Sequence, residues 1–127
     1  MSRTATPRSA ARTVLLTGAL MASGSWLMLL TACGPDCQST CNRLYQESEC
    51  NIQSPGATRD ALVTRCNQEC EGALETPGEV GDYQPNEYTP ANESVTLDND
   101  KMAATWMDCV SATSCELLND GYCAPVW

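Results

Sequence analysis

The chain of 127 residues has nine cysteines, no His and no Phe, and it sets seven Lys and Arg against 16 Asp and Glu. Charge is divided along it: Arg3, Arg8 and Arg12 open the chain and every acid follows Cys33, so residues 33–127 hold Arg43, Arg59, Arg65 and Lys101 against all 16 acids, a balance of −12. That sign repels phosphate backbones and anionic head groups, which excludes nucleic acid as a partner and membrane binding by charge, and the length after residue 33 excludes a second independent core.

Residues 1–12 carry three arginines and no acid, and residues 13–32 (TVLLTGALMASGSWLMLLTA) carry no charge, the order expected of a signal peptide. Leu30-Thr31-Ala32-Cys33 follows at the end of the apolar run. This tetrapeptide resembles the lipobox of bacterial lipoproteins at all four positions. The resemblance implies diacylation of the Cys33 thiol, cleavage before it, acylation of the new amine, and a lipid bilayer as partner through the acyl chains. Only a thiol is nucleophilic enough near neutral pH to take such a group. An uncleaved membrane-spanning anchor is the alternative, weakened by Gly18, Ser23, Gly24 and Ser25 within the apolar run. Gly34, where the best-known sorting scheme places Asp for inner-membrane retention, points to the outer membrane. No two arginines are adjacent in the leader, so the chain is expected to cross unfolded and to oxidise outside the cytoplasm.

The expected organisation is a signal peptide at 1–32 and a cysteine-rich domain at 33–127. Pro35-Asp36 opens a helical stripe of Cys37, Cys41, Leu44 and Tyr45, with Asp36 as its cap. Residues 51–56 (NIQSPG) read as a turn. A second stripe runs through Leu62, Val63, Cys66, Cys70 and Ala73 or Leu74, supported by an Arg65/Glu69 ion pair and stopped by Pro77-Gly78. These are read as two antiparallel helices of about 12 to 15 residues. Residues 75–100 hold three prolines and two glycines, many acids and no base, and read as a long acidic loop anchored by Val80, Tyr83, Tyr88, Val95 and Leu97. A third stripe begins at Asp100 with Met102, Ala103, Trp106, Cys109, Val110 and Thr113. Thr113-Ser114-Cys115-Glu116 fits a capping box that opens a short fourth helix, with Leu117 and Leu118, ending at Asp120-Gly121. The expected fold is therefore all-α: a helical hairpin, a third helix, a short fourth and the acidic loop.

With Cys33 assigned to lipid, eight cysteines remain, enough for four disulfides that would contribute about 2 to 4 kcal/mol each to a thin core. Cysteines four apart share a helix face, so antiparallel helices bring Cys37 opposite Cys70 and Cys41 opposite Cys66. The two Cys-x3-Cys motifs resemble the alpha-hairpinin and twin CX3C families, in which that nested pairing is the rule; the resemblance covers residues 37–70 and implies fold, not activity. Cys50, Cys109, Cys115 and Cys123 allow three connectivities. Cys50 is expected to join one of the three C-terminal cysteines and so staple the third helix onto the hairpin.

No Cys-x-x-Cys is present and no His can complete a zinc or haem site, so the thiols are read as structural and no cofactor is expected. Hydrolytic catalysis finds no His, and Lys101 lies outside any Ser-x-x-Lys context. Asp98 and Asp100 lack EF-hand spacing and read as part of a solvated face. Two functional readings remain, neither of them an enzyme. The first is a non-catalytic interaction or structural module of the cell envelope that meets an envelope or extracellular protein through Tyr83, Tyr88 and Trp127. The alternative is an inhibitor of a secreted or periplasmic hydrolase, inserting the turn at 53–60 into a cleft with Arg59 as its anchor.

Overall fold

The computed structural model describes residues 34–127; the expected signal peptide and the lipidation residue Cys33 lie outside the described residues. Four helices and no strand form among the described residues: α1 (Cys37–Tyr45), α2 (Arg59–Leu74), α3 (Asp100–Ala112) and α4 (Cys115–Asn119). None is long and apolar enough to cross a membrane.

Each helix starts where a short polar side chain can take an orphan backbone N–H. Asp36 accepts from the Ser39 N–H at 2.7 Å while Ser39 Oγ accepts from the Asp36 N–H at 3.1 Å, a reciprocal capping box. The bond from the Ser39 N–H, followed by a contribution from the Ser39 hydroxyl, holds the Asp36 carboxyl below its ordinary pKa. Thr58 caps α2 through Ala61, and Asn99 caps α3 through Lys101 and Met102. At α4 the cap is Ser114 rather than Thr113, because the Thr113 N–H is already committed to the Cys109 carbonyl, closing α3.

At nine residues α1 is shorter than expected, and α2, with 16, is longer. The connector explains the early stop. The Cys50 N–H donates to the Arg43 carbonyl at 3.0 Å and the Ile52 N–H to the Leu44 carbonyl at 2.8 Å, so the chain turns back and takes carbonyls a further helical turn would have used. In α2 the apolar face is Leu62, Cys66, Cys70 and Ala73, leaving Leu74 exposed. The expected Arg65/Glu69 pair does not form within 4.0 Å; the ion pairs among the described residues are Arg43–Glu49 at 3.9 Å and Arg59–Glu47 at 3.7 Å.

Helices α1, α2 and α3 pack against one another around Leu44, Tyr45, Trp106 and Val110, with Leu118 of α4 completing the centre. Six half-cystines are buried in the same core. Cys37–Cys70 and Cys41–Cys66 are nested bridges, each with a Cα separation of 5.8 Å, that lock α1 to α2. Cys50 joins one of the three C-terminal cysteines, as expected, but the partner is Cys115, the first residue of α4, so the staple lands beyond the third helix rather than on it, while Cys109 of α3 joins Cys123 in the C-terminal segment. Beside the helix packing, Arg43 ties the hairpin to α3 by hydrogen bonds: its guanidinium donates to the carbonyls of Val110 and Thr113, each at 3.0 Å. A cation at the carbonyl end of a helix also meets its favourable dipole end.

Residues 75–99 connect α2 to α3 and are tied down at base and tip. At the base the Asp100 N–H donates to the Thr76 carbonyl at 2.8 Å and Asn99 Nδ2 to the Glu79 carbonyl at 2.9 Å. Farther along, the Cys123 N–H donates to the Pro85 carbonyl at 2.7 Å and the Thr89 N–H to the Gly121 carbonyl at 3.1 Å. Gly121 is required there: its φ is +105°, and a Cβ would stand 2.6 Å from the Thr89 carbonyl oxygen.

Candidate binding groove

The docked connector leaves an open groove of about 580 Å³. Three segments far apart in sequence form its walls, at 52–55, 88–97 and 118–127, and Arg65 and Glu69 of α2 reach it from the helix face. Pockets of this size usually hold a small molecule or a few residues of a chain.

Tyr88 stands at the rim, 58% exposed, its ring 6.2 Å from that of Tyr122. Trp127 lines the groove half-buried, edge-on to the fully buried Trp106 at 5.4 Å. Trp106 is itself fixed by its indole N–H, which donates to the carbonyls of Cys123 and Pro125, each at 3.1 Å. The aromatic surface thus rests on a rigid support, the arrangement in which binding anchors cost little entropy.

The groove is acidic with one cation. Glu69, Glu93 and Asp120 line it with Arg65, which makes no ion pair within 4.0 Å among the described residues. The other two arginines are occupied internally: Arg43 on the end of α3, and Arg59 on the Tyr45 carbonyl and Asn51 Oδ1, each at 2.9 Å.

Of the residues expected to meet a partner, Tyr88 and Trp127 come together in the groove. Tyr83 does not: it packs on the core, and its hydroxyl donates to the Ala124 carbonyl at 2.6 Å. Arg59 lies beside a smaller hollow of about 210 Å³ with Asn51 and Leu62, its guanidinium turned onto the chain that precedes it. The eight described half-cystines are all in disulfides, so none offers a thiolate to a metal or substrate. Burial pushes the Tyr45 phenol up to about 12 and raises Tyr83 as well, so both hold their protons at neutral pH.

Sequence reasoning missed Arg65, Glu93 and Asp120. Arg65 reads in sequence as half of a helical ion pair, and the two acids read as solvated turn residues. The available signal was Asp120-Gly121, a turn whose glycine marks the close approach of the loop. In class, residues 34–127 are a small, disulfide-stapled all-α domain with an open groove. No family model, curated protein or solved structure matches it.

Proposed function

We propose that this protein is a lipoprotein of the cell envelope, exported on residues 1–32 and anchored through acyl chains on Cys33, and that its cysteine-rich helical domain is a non-catalytic interaction module. The observation that carries the interaction reading is the open groove, in which Tyr88 and Trp127 offer aromatic surface on a frame locked by four bridges. Rigid aromatic anchors supply most of the binding energy at protein interfaces. The lipobox and the charge order of the leader support the anchor, and Gly34 favours the outer membrane. Two or three acyl chains would make attachment effectively permanent, which suits a module that must stay at one surface.

The test combines intact mass with photo-cross-linking in whole cells. The expected product starts at Cys33, carries acyl mass and forms a discrete cross-link to one envelope or extracellular protein; Cys33→Ser retains its leader and gains no lipid. An unprocessed leader in the unmodified chain would remove the anchor, and absence of any specific cross-link would remove the interaction role.

A further inference from the structure

One groove wall has an unusual backbone. Residues 94–98 form no helix or turn, and their side chains alternate: Ser94, Thr96 and Asp98 are exposed, Val95 is half-buried and Leu97 is buried. None of their backbone N–H or C=O groups bonds to another protein group among the described residues. Alternation with unpaired main chain is the pattern of a strand edge that lacks its neighbour. Such edges recruit extended peptides through main-chain bonds, with pockets selecting alternate side chains.

Charge selects the occupant. The described residues carry a balance of −12, and Glu69, Glu93 and Asp120 stand in the groove itself. A second copy of this chain brings the same sign and is repelled, whereas a cationic segment is drawn in. We propose that the groove binds an extended, Lys- or Arg-bearing segment of a partner protein, laid along residues 94–97 with an apolar side chain against Tyr88 and Trp127 and its cations beside Glu93 and Asp120. This rests on the interaction reading above and gives the partner its chemistry.

The full chain in detergent is titrated with a fluorescent octapeptide of alternating lysine and valine, and with the glutamate–valine counterpart. The lysine peptide is expected to bind at least about tenfold tighter, and to weaken several-fold between about 50 and about 300 mM salt. Methylating its backbone nitrogens should abolish binding, which charge alone would not do. Tyr88→Ala and Glu93→Gln, both at exposed positions, should each weaken it at least about threefold, while Glu79→Gln, outside the groove, leaves it unchanged. Equal losses for Glu93→Gln and Glu79→Gln, or full binding by the methylated peptide, would mean diffuse attraction and overturn the proposal. So would no peptide binding, or occupation of the groove by a chitin oligosaccharide instead. The whole-cell cross-link separates the two failures: a partner captured undiminished by Tyr88→Ala leaves the interaction reading and removes the groove, whereas no captured partner removes both.

Discussion

The phenol of Tyr45, fully buried at the end of α1, donates a hydrogen bond to a main-chain oxygen of Trp127 at 2.7 Å and so ties the first helix to the C-terminal segment. Burial raises this phenol from 10 to about 12, although the positive Arg65 opposes the shift. Because the folded pKa is the higher one, the folded state binds more protons in between: the stabilisation is complete below pH 10 and is lost as pH rises through 12. The loss amounts to about 3 kcal/mol across that window. Tyr83 is raised for the same reason and adds to it. Urea midpoints should therefore fall from about pH 9 to about pH 11, and fall less in Tyr45→Phe. A midpoint that stays level would contradict the burial of this hydroxyl.

The four bridges differ in accessibility. Cys50 and Cys115 are half-buried, while Cys41, Cys66, Cys70 and Cys123 are completely enclosed. Thiol exchange needs an approach to sulfur, so limiting reductant under native conditions should open Cys50–Cys115 first. Alkylation followed by peptide mapping would find label on Cys50 and Cys115 before any other pair. Early label on Cys37 or Cys70 would show that the hairpin breathes before the outer staple gives way.

Arg43 and Arg65 should separate sharply on substitution. Arg43→Ala leaves the Val110 and Thr113 carbonyls without their cation and should cost about 2 kcal/mol in chemical denaturation with the bridges intact. Arg43→Lys recovers only part, since one ammonium cannot span both carbonyls as the planar fork does. Arg65→Ala removes no ion pair and should stay within about 0.5 kcal/mol of the parent.

Thr40 is buried, and its hydroxyl has no hydrogen-bond partner among the described residues. Thr40→Val keeps the shape and removes the unsatisfied group, so it should raise stability by about 1 kcal/mol and the melting temperature with it. A lower melting temperature would reveal a partner for that oxygen in solution.

The helices were legible because their apolar residues repeat at helical spacing: Cys37, Cys41 and Leu44 announce the buried face of α1 as Ala103, Trp106 and Val110 announce that of α3. The end of α1 was not, since it depends on Cys50 and Ile52 returning to its last carbonyls, a consequence of the bridge at Cys50. Nor could the partner of Cys50 be read, because the choice among Cys109, Cys115 and Cys123 follows from where the C-terminal segment docks. The groove was least legible of all. Its walls are contributed by stretches that sequence presents separately as a turn, an acidic loop and a tail, and only Tyr88 and Trp127 stood out as aromatics in polar surroundings.

Bridge connectivity also constrains how the chain can be made. Taken in order along the sequence, no cysteine among the eight is joined to its immediate neighbour: Cys37 skips to Cys70, Cys41 to Cys66, Cys50 to Cys115 and Cys109 to Cys123. A chain delivered amino end first presents Cys37 and Cys41 together long before either partner arrives, and Cys50 must wait 65 residues for its own. Oxidation strictly in order of emergence would join Cys37 to Cys41, and that bond would have to be undone by thiol–disulfide exchange before this set of bridges could form.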